Sequence, residues 1–430
     1  MFRIIRFIFS ALVVGLILSA CTTQPIQVTA SAPTPTPIGQ PAPSVTPTPS
    51  SSPQPNGPIT LTLWVPPAYT PGDASPAQKI LAQQLQSIDT HVQILTKNDH
   101  GAGGLLDLLT AASPVAPSIL PDVIALDTTD LEAAARSGLV QPIDDLVPPD
   151  LASDLYPFAR DLGSIDGKLY GIIYGADLEH LVFNTNAIKS PPSKWSDLTT
   201  QRYVFALHDG DNGVSDAVLS HYLAAGGTLQ EANQQPALDQ DSLTQLLGLY
   251  QQAQRNNILA VNALDLNSDT DVWTAWLASN AALATVHAST YLSVAPALPA
   301  LQFAALLAID QPAPPIARGW VLAIVTRDPR RQVAALKLIE ALLSPDRSGV
   351  WTQTAKVLPG RVSVLAQWDQ TNPYTRFIGD QLQRALAAPS TSIMNVVGPV
   401  LRTTIDDVLS NRATPIDAAQ AAVNTVNGNK

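Results

Sequence analysis

The chain has 430 residues, 46% of them apolar and only 14% charged, with a formal net charge of −11. That length admits two domains or one two-lobed unit, and an acidic balance without a basic stripe argues against nucleic-acid binding and against an anionic membrane surface as the main target. A single cysteine excludes an internal disulfide.

Met1 to Ala20 carries two early cations, Arg3 and Arg6, and then an apolar run from Ile8 to Leu18. This is the pattern of a secretory signal peptide, and the run is shorter than the roughly 20 residues of a membrane span. Leu18-Ser19-Ala20-Cys21 fits the lipobox of bacterial lipoproteins, so Cys21 is the expected lipid-attachment residue. The alternative is an uncleaved anchor with a chance cysteine, and either reading puts the remainder outside the cytoplasmic membrane. Residues 21–58 continue in Pro, Thr and Ser, a composition that cannot bury a core. Such a disordered, polyproline-like tether would reach about 110 Å at roughly 3.1 Å per residue.

From Ile59 the pattern changes. Ile59 to Val65 alternates apolar and polar residues and predicts a strand, followed by the loop Pro66-Pro67-Ala68-Tyr69. Ser75 and Pro76 open a helix to Ile88; His91 to Leu95 is a second strand; Gly104 to Ala112 is a helix; Pro121 to Leu126 is a third strand. Asp130 to Ser137 is a helix stopped at Gly138. Strand and helix alternate, which predicts an α/β lobe with a largely parallel sheet. Asp166-Gly167-Lys168 is a turn, and two apolar strands then meet at the polar break Gly175-Ala176-Asp177. A second set of elements follows: a strand from Tyr203 to Leu207, the polar loop 208–213, helices at 215–225, 238–256 and 270–279, and a strand from Ala281 to His287. Arg318 to Val325 is a further strand, Asp328-Pro329 opens a helix to Leu343, and residues 373–430 read as helices packed on the second lobe.

Several of these segments together resemble the extracytoplasmic solute-binding proteins of family 1, the maltose-binding-protein-like group that serves ABC importers. They are DGKLYGIIYGADLEHLVFNTNAI at 166–188, LPDVIALDTTDLEAAARSGLVQPIDDLVP from Leu120, PPSKWSDL at 191–198, AALATVH at 281–287, RGWVLAIV at 318–325 and LPGR at 358–361. The chain departs from the pattern at Ile173, where the family commonly has proline. The resemblance covers about residues 59–430. It implies a two-lobed periplasmic-binding-protein-like α/β fold, with two doubly wound sheets joined by hinge crossovers at about 174–180, 317–323 and 356–361. Lobe 1 would be 59–176 with 322–357, and lobe 2 would be 177–321 with 358–430.

In such sheets ligands sit at strand ends and in crevices between units. Asp177 falls where the family often places a ligand-touching carboxylate, although it could equally cap the hinge. Trp320, beside Gly319, is the leading stacking candidate, or else a core tryptophan. Tyr69, Asp211, Asn212, His287, Tyr291 and Arg361 are weaker candidates that also fit loop or packing roles, and Trp64, Trp195, Trp273 and Trp276 read as structural. The resemblance implies a lipid-anchored receptor, monomeric and without cofactor or metal. It would capture a carbohydrate or other small polar solute and deliver it to ABC permease subunits. Two rivals stay open: a secreted carbohydrate-active hydrolase, and a surface sensory or adhesion module on the same fold. No G-x-S-x-G or H-E-x-x-H motif supports an enzyme, and Gly101-Ala102-Gly103-Gly104 lacks the Lys-Ser/Thr of a phosphate loop.

Overall fold

The computed structural model describes residues 59–210, 213–279 and 281–428. The expected signal peptide, Cys21, the tether, Asp211 and Asn212 all lie outside the described residues. In chain order the strands are β1 (Thr60–Val65), β2 (His91–Thr96), β3 (Val123–Asp127), β4 (Ser164–Ile165), β5 (Lys168–Leu169), β6 (Gly171–Asn184), β7 (Tyr203–Val204), β8 (His208–Asp209), β9 (Gly213–Val214), β10 (Leu283–His287), β11 (Leu301–Ala304), β12 (Ile316–Ile324) and β13 (Leu386–Ala387).

Local chemistry explains the boundaries. Ser75 accepts from the Gln78 amide and Pro76 takes the first helical position, so the helix Pro76–Gln86 starts where its missing N–H costs nothing. Asp328 and Asn372 cap the helices Pro329–Leu342 and Pro373–Arg384 in the same way. Asp166 and Gly167 both take left-handed backbone angles, φ 51° and 78°, which a tight turn between β4 and β5 requires.

A nine-stranded sheet runs in the order β2-β1-β3-β12-β6-β10-β7, with β11 added to β6 and β13 to β12. β1 pairs in parallel with β2 and β3, and β12 lies antiparallel to both β3 and β6. β6 is the shared member. Its first half pairs with β12 through Gly171–Leu178, and its second half pairs with β10 through Glu179–Phe183. The polar break expected at Gly175-Ala176-Asp177 is therefore a continuous strand. The reason is that its backbone groups are all taken up: Gly175 to Leu178 pair with β12, and Ala176 exchanges two 2.7 Å hydrogen bonds with Leu358. At about 3.3 Å per residue the strand is about 46 Å long, enough to run through both halves of the molecule.

The pairing slips once, between Trp320 and Val321, leaving Tyr174 as the extra residue of a bulge. Tyr174 turns its ring flat onto Trp351, 4.4 Å away at 1°. Close approach at the crossing depends on glycine: a Cβ on Gly319 would lie 2.4 Å from the Gly175 carbonyl oxygen.

The buried apolar residues form two main clusters, and the crossing lies within the first. One gathers Leu61, Leu63, Ile124, Leu126, Ile172, Val321, Leu322 and Leu338. The other gathers Phe183, Tyr203, Leu219, Leu243, Tyr250, Val397 and Ile405. The helices Thr391–Leu409 and Pro415–Asn427 belong to the second cluster, and the helix Pro373–Arg384 belongs to the first. Its Ile378 and Leu382 join the first cluster, and Tyr374 stacks on Tyr291 and hydrogen-bonds His180.

Two predictions follow from this packing. In Gly319→Ala the new Cβ would press on backbone rather than on a flexible side chain. A cost of about 1–3 kcal/mol is expected in denaturant unfolding, and an unchanged midpoint would refute the close-approach account. Buried His180 and His221 are held neutral, and burial lowers their pKa to about 4 and about 3. The unfolded chain therefore binds protons that the native state refuses, and stability should fall as pH drops through about 6.5. Between pH 7.5 and 5.5 each of these histidines should cost about 1.4 kcal/mol. His221→Gln, measured by urea unfolding, should be less acid-sensitive than the parent, and parallel pH profiles would overturn this.

Candidate functional site

The strand periodicity decides what faces what. Residues directly opposite in an antiparallel pair share a face, and alternate residues along a strand do too. Arg318 lies opposite Asp177, Trp320 opposite Gly175, and His287 opposite Glu179. One face of the crossing thus presents Trp320, Arg318, Asp177, Glu179 and His287 in a row.

Arg318 makes a bidentate pair with Asp216, both bonds 2.7 Å. Asp216 opens the helix Asp216–Ala224, capped by Ser215, so the carboxylate sits at a helix N-terminus that favours it. Asp216 first, despite the opposing effect of burial, raises the Arg318 pKa above its usual value. Asp209 nearby is exposed at its surface, and partial desolvation raises its carboxyl pKa, with Arg318 pulling the other way.

His287 ends β10 and leads into the helix Ala288–Val294. Its Nδ1 lies 2.9 Å from Asp269 Oδ1, and its backbone N–H donates to Asp269 Oδ2 at 2.9 Å. The Thr290 hydroxyl donates to the same Oδ2 at 2.6 Å. Burial opposes a charge on this imidazole, but Asp269, Asp177 and Glu179 together outweigh it and raise its pKa well above the ordinary value. Burial also acts to raise Asp269, yet the hydrogen bonds from His287 and Thr290 leave its pKa lowered.

Asp177 Oδ1 accepts from the Leu178 amide at 2.9 Å and the Ser289 amide at 3.2 Å. Burial nevertheless raises its pKa, with His287 and Ser289 offsetting part of the effect. Glu179 is only 5% exposed. Burial lifts its pKa to about 8, His287 works against that, and Asp216 and Asp269 add to it.

An aromatic wall closes one end of this row. Tyr69 is buried with its ring between Tyr174, Trp351 and Trp320 at 5.2, 5.4 and 5.5 Å. Half-buried Trp320 also meets His100 at 5.9 Å, and His100 Nδ1 lies 3.4 Å from Asp130. Beside them is a hollow of about 400 Å³ lined by His100, Gly101, Gly104, Asp107, Thr110 and Asp130. A larger concavity of about 540 Å³ lies at the opposite end of β3, around the Asp122–Arg331 ion pair, and does not touch the crossing.

Of the residues singled out in sequence, Asp177, Gly319, Trp320 and His287 meet at the crossing, with Tyr69 behind Trp320. Gly319 serves there as the point of closest backbone approach, and its N–H donates to the Thr128 hydroxyl at 3.3 Å. Tyr291 is buried, stacked on Tyr374 at 4.6 Å. Arg361 is committed elsewhere: its Nε donates to Asp154 Oδ2 at 2.8 Å, and its guanidinium also reaches the Leu343 carbonyl. Glu179, Arg318, Asp209, Asp216, Asp269 and His100 were missed. The spacings Asp177-x-Glu179 and Arg318-x-Trp320 are the signal that could have found two of them, since two-residue spacing on a strand means one face. Asp216 and Asp269 carry no such signal, because each looks like an ordinary helix-start acid.

The site can be set beside known proteins. A family model described as bacterial extracellular solute-binding protein matches residues 104–376. A maltotriose-binding protein of Pyrococcus abyssi is 24% identical over 114 residues, a match spanning 24% of this chain and about a quarter of that relative's length. Among solved structures, the cyclic alpha-maltosyl-1,6-maltose binding protein from Arthrobacter globiformis superposes with a TM-score of 0.72 at 18% identity, covering 86% of this chain and 99% of that one. The sugar-binding protein MalE from Xanthomonas citri gives a TM-score of 0.67 at 19% identity, covering 86% and 97%. At such identities the structural likeness carries the fold, which is the two-lobed maltose-binding-protein-like one. The family match extends over more than half of the chain, which therefore belongs to the bacterial extracellular solute-binding proteins.

Proposed function

We propose that the chain is a lipid-anchored extracytoplasmic receptor that captures a sugar or similar polar solute between two lobes and delivers it to an ABC importer. Lobe 1 comprises 59–176 with 322–357 and lobe 2 comprises 177–321 with 358–430, with the helix Pro373–Arg384 bridging them. Cys21 carries the lipid, and the Pro-rich segment after it is the tether.

The observation that carries this reading is the row of Trp320, Asp177 and Glu179 at the crossing of β6 and β12 in a chain of this family. A half-buried indole offers a flat apolar face to the C–H face of a sugar ring, while carboxylates accept its hydroxyls. The relatives' names speak of maltotriose and maltosyl sugars, which favours a short glucan over a polyol or a glycerophosphodiester. Two continuous strands and the Ala176–Leu358 contact cross between the lobes, and a ligand that touches both sides favours the closed arrangement. The capture makes and breaks no bond. Thr290 directs its hydroxyl to Asp269 rather than to the imidazole, so the Asp269–His287 pair does not activate it as a nucleophile.

Thermal unfolding of the mature chain against malto-oligosaccharides, monosaccharides, polyols and glycerophosphodiesters tests this. A true ligand at a hundredfold excess over Kd should stabilise by about 2.7 kcal/mol. The shift should vanish in Trp320→Ala and in Asp177→Ala while both variants remain folded. A folded protein that responds to none of the panel would sink the sugar reading.

A further inference from the structure

We propose that Glu179, Asp269 and His287 form a binding site for a divalent transition metal of the zinc class. One carboxylate oxygen from each acid and one imidazole nitrogen lie within 4.8 Å of one another. Zinc takes carboxylate oxygens and imidazole nitrogens at about 2.0–2.2 Å, which puts the donors of a tetrahedral site about 3.4 Å apart. His287 Nδ1 and Asp269 Oδ1 are 2.9 Å apart, so reaching that spacing takes an opening of about 0.5 Å there and a contraction of at most about 1.4 Å at the widest separation.

An independent observation points to a cation. Glu179 is 5% exposed, and its Oε2 is buried without a hydrogen-bond partner among the described residues. A buried carboxylate oxygen with nothing to accept from is costly, and a metal ion on it removes that cost. The surroundings point the same way. Asp269, Asp177 and Glu179 gather around His287, and Asp216, Asp209 and Asp127 around Arg318, so acidic side chains outnumber basic ones at the crossing.

The three donors also stand on firm elements with supporting hydrogen bonds. Glu179 is inside β6, His287 ends β10, and Asp269 opens the helix Asp269–Ser279. Thr290 donates to Asp269, as does the His287 backbone N–H. Such outer contacts orient ligands in metal sites. The site is reachable, since the His287 and Asp269 side chains are 34% and 20% exposed. Three protein donors leave a fourth position open towards that exposed side, where a solute oxygen or water would complete the shell.

The test is calorimetric titration of the full mature chain, stripped with EDTA and dialysed, with ZnCl2 and no sugar present. It reads the metal alone, so its failure leaves the solute reading untouched and the sugar panel's failure leaves this one untouched. One Zn²⁺ per chain is expected, with affinity lowered at least tenfold in Glu179→Gln and unchanged in His91→Gln, which removes an exposed histidine far along the chain. Co²⁺ in place of Zn²⁺ should give the visible absorption of a low-coordinate nitrogen–oxygen site, lost in the same variant. Asp269→Asn, which keeps most local hydrogen bonds, replaces Glu179→Gln if circular dichroism shows that variant unfolded. Absence of binding, binding that survives the site variants, or binding lost in His91→Gln would each overturn the site. Stabilisation of the stripped protein by glucosamine hydrochloride but not by ZnCl2 would overturn it too, assigning the carboxylates to an organic cation.

Discussion

Everything else in the molecule depends on the antiparallel pairing of β6 with β12. This pair is the middle of the sheet, a part of the first apolar cluster, and the platform of the candidate site. It tolerates no side chain at Gly319, where the partner carbonyl leaves no room for a Cβ. The bulge at Tyr174 gives the crossing its bend, and the Tyr174–Trp351 stack holds that bend from behind. A mobile junction would ordinarily be a loop. Here it is a strand hydrogen-bonded on its flanks, to β12 and at the reciprocal Ala176–Leu358 contact.

The second organising fact is electrostatic. Burying carboxylates is costly unless each finds a cation or several donors. Asp216 finds Arg318 in bidentate geometry, Asp269 finds His287 and Thr290, and Asp177 finds two backbone amides. Glu179 is left with one oxygen unmatched, and burial keeps a proton on it more readily than on the others. A row of acceptors beside an indole is what a polyhydroxylated solute needs. Within this row, and among the described residues, Glu179 Oε2 is a buried acceptor without a partner.

How much of this was legible differs by level. The helix starts at Ser75-Pro76, Asp328-Pro329 and Asn372-Pro373 are local, set by capping chemistry within four residues, and sequence is enough to place them. The Asp166-Gly167 turn is local for the same reason. The polar interruption at Gly175-Ala176-Asp177 misled, because small and polar residues also permit two backbones to approach, and only the partner strand tells the two cases apart. Tyr291 and Arg361 looked like cleft residues from their positions after a strand and in a crossover. Their partners, Tyr374 and Asp154, are far away in the chain and claim them for packing and ion pairing.

The sequence by itself determined the acidic character, the alternation of strand and helix, and the motifs that carry the family. All of these reside in composition or in neighbours a few residues apart. Only the tertiary structure decided that Arg318 faces Asp177, that His287 faces Glu179, and that Asp216 and Asp269 come in beneath them. Asp269 and His287 are 18 residues apart, while the other contacts join segments about a hundred residues or more apart, through strand register and helix placement. Register is set by the summed packing of both faces of the sheet, and no short stretch of sequence contains that information.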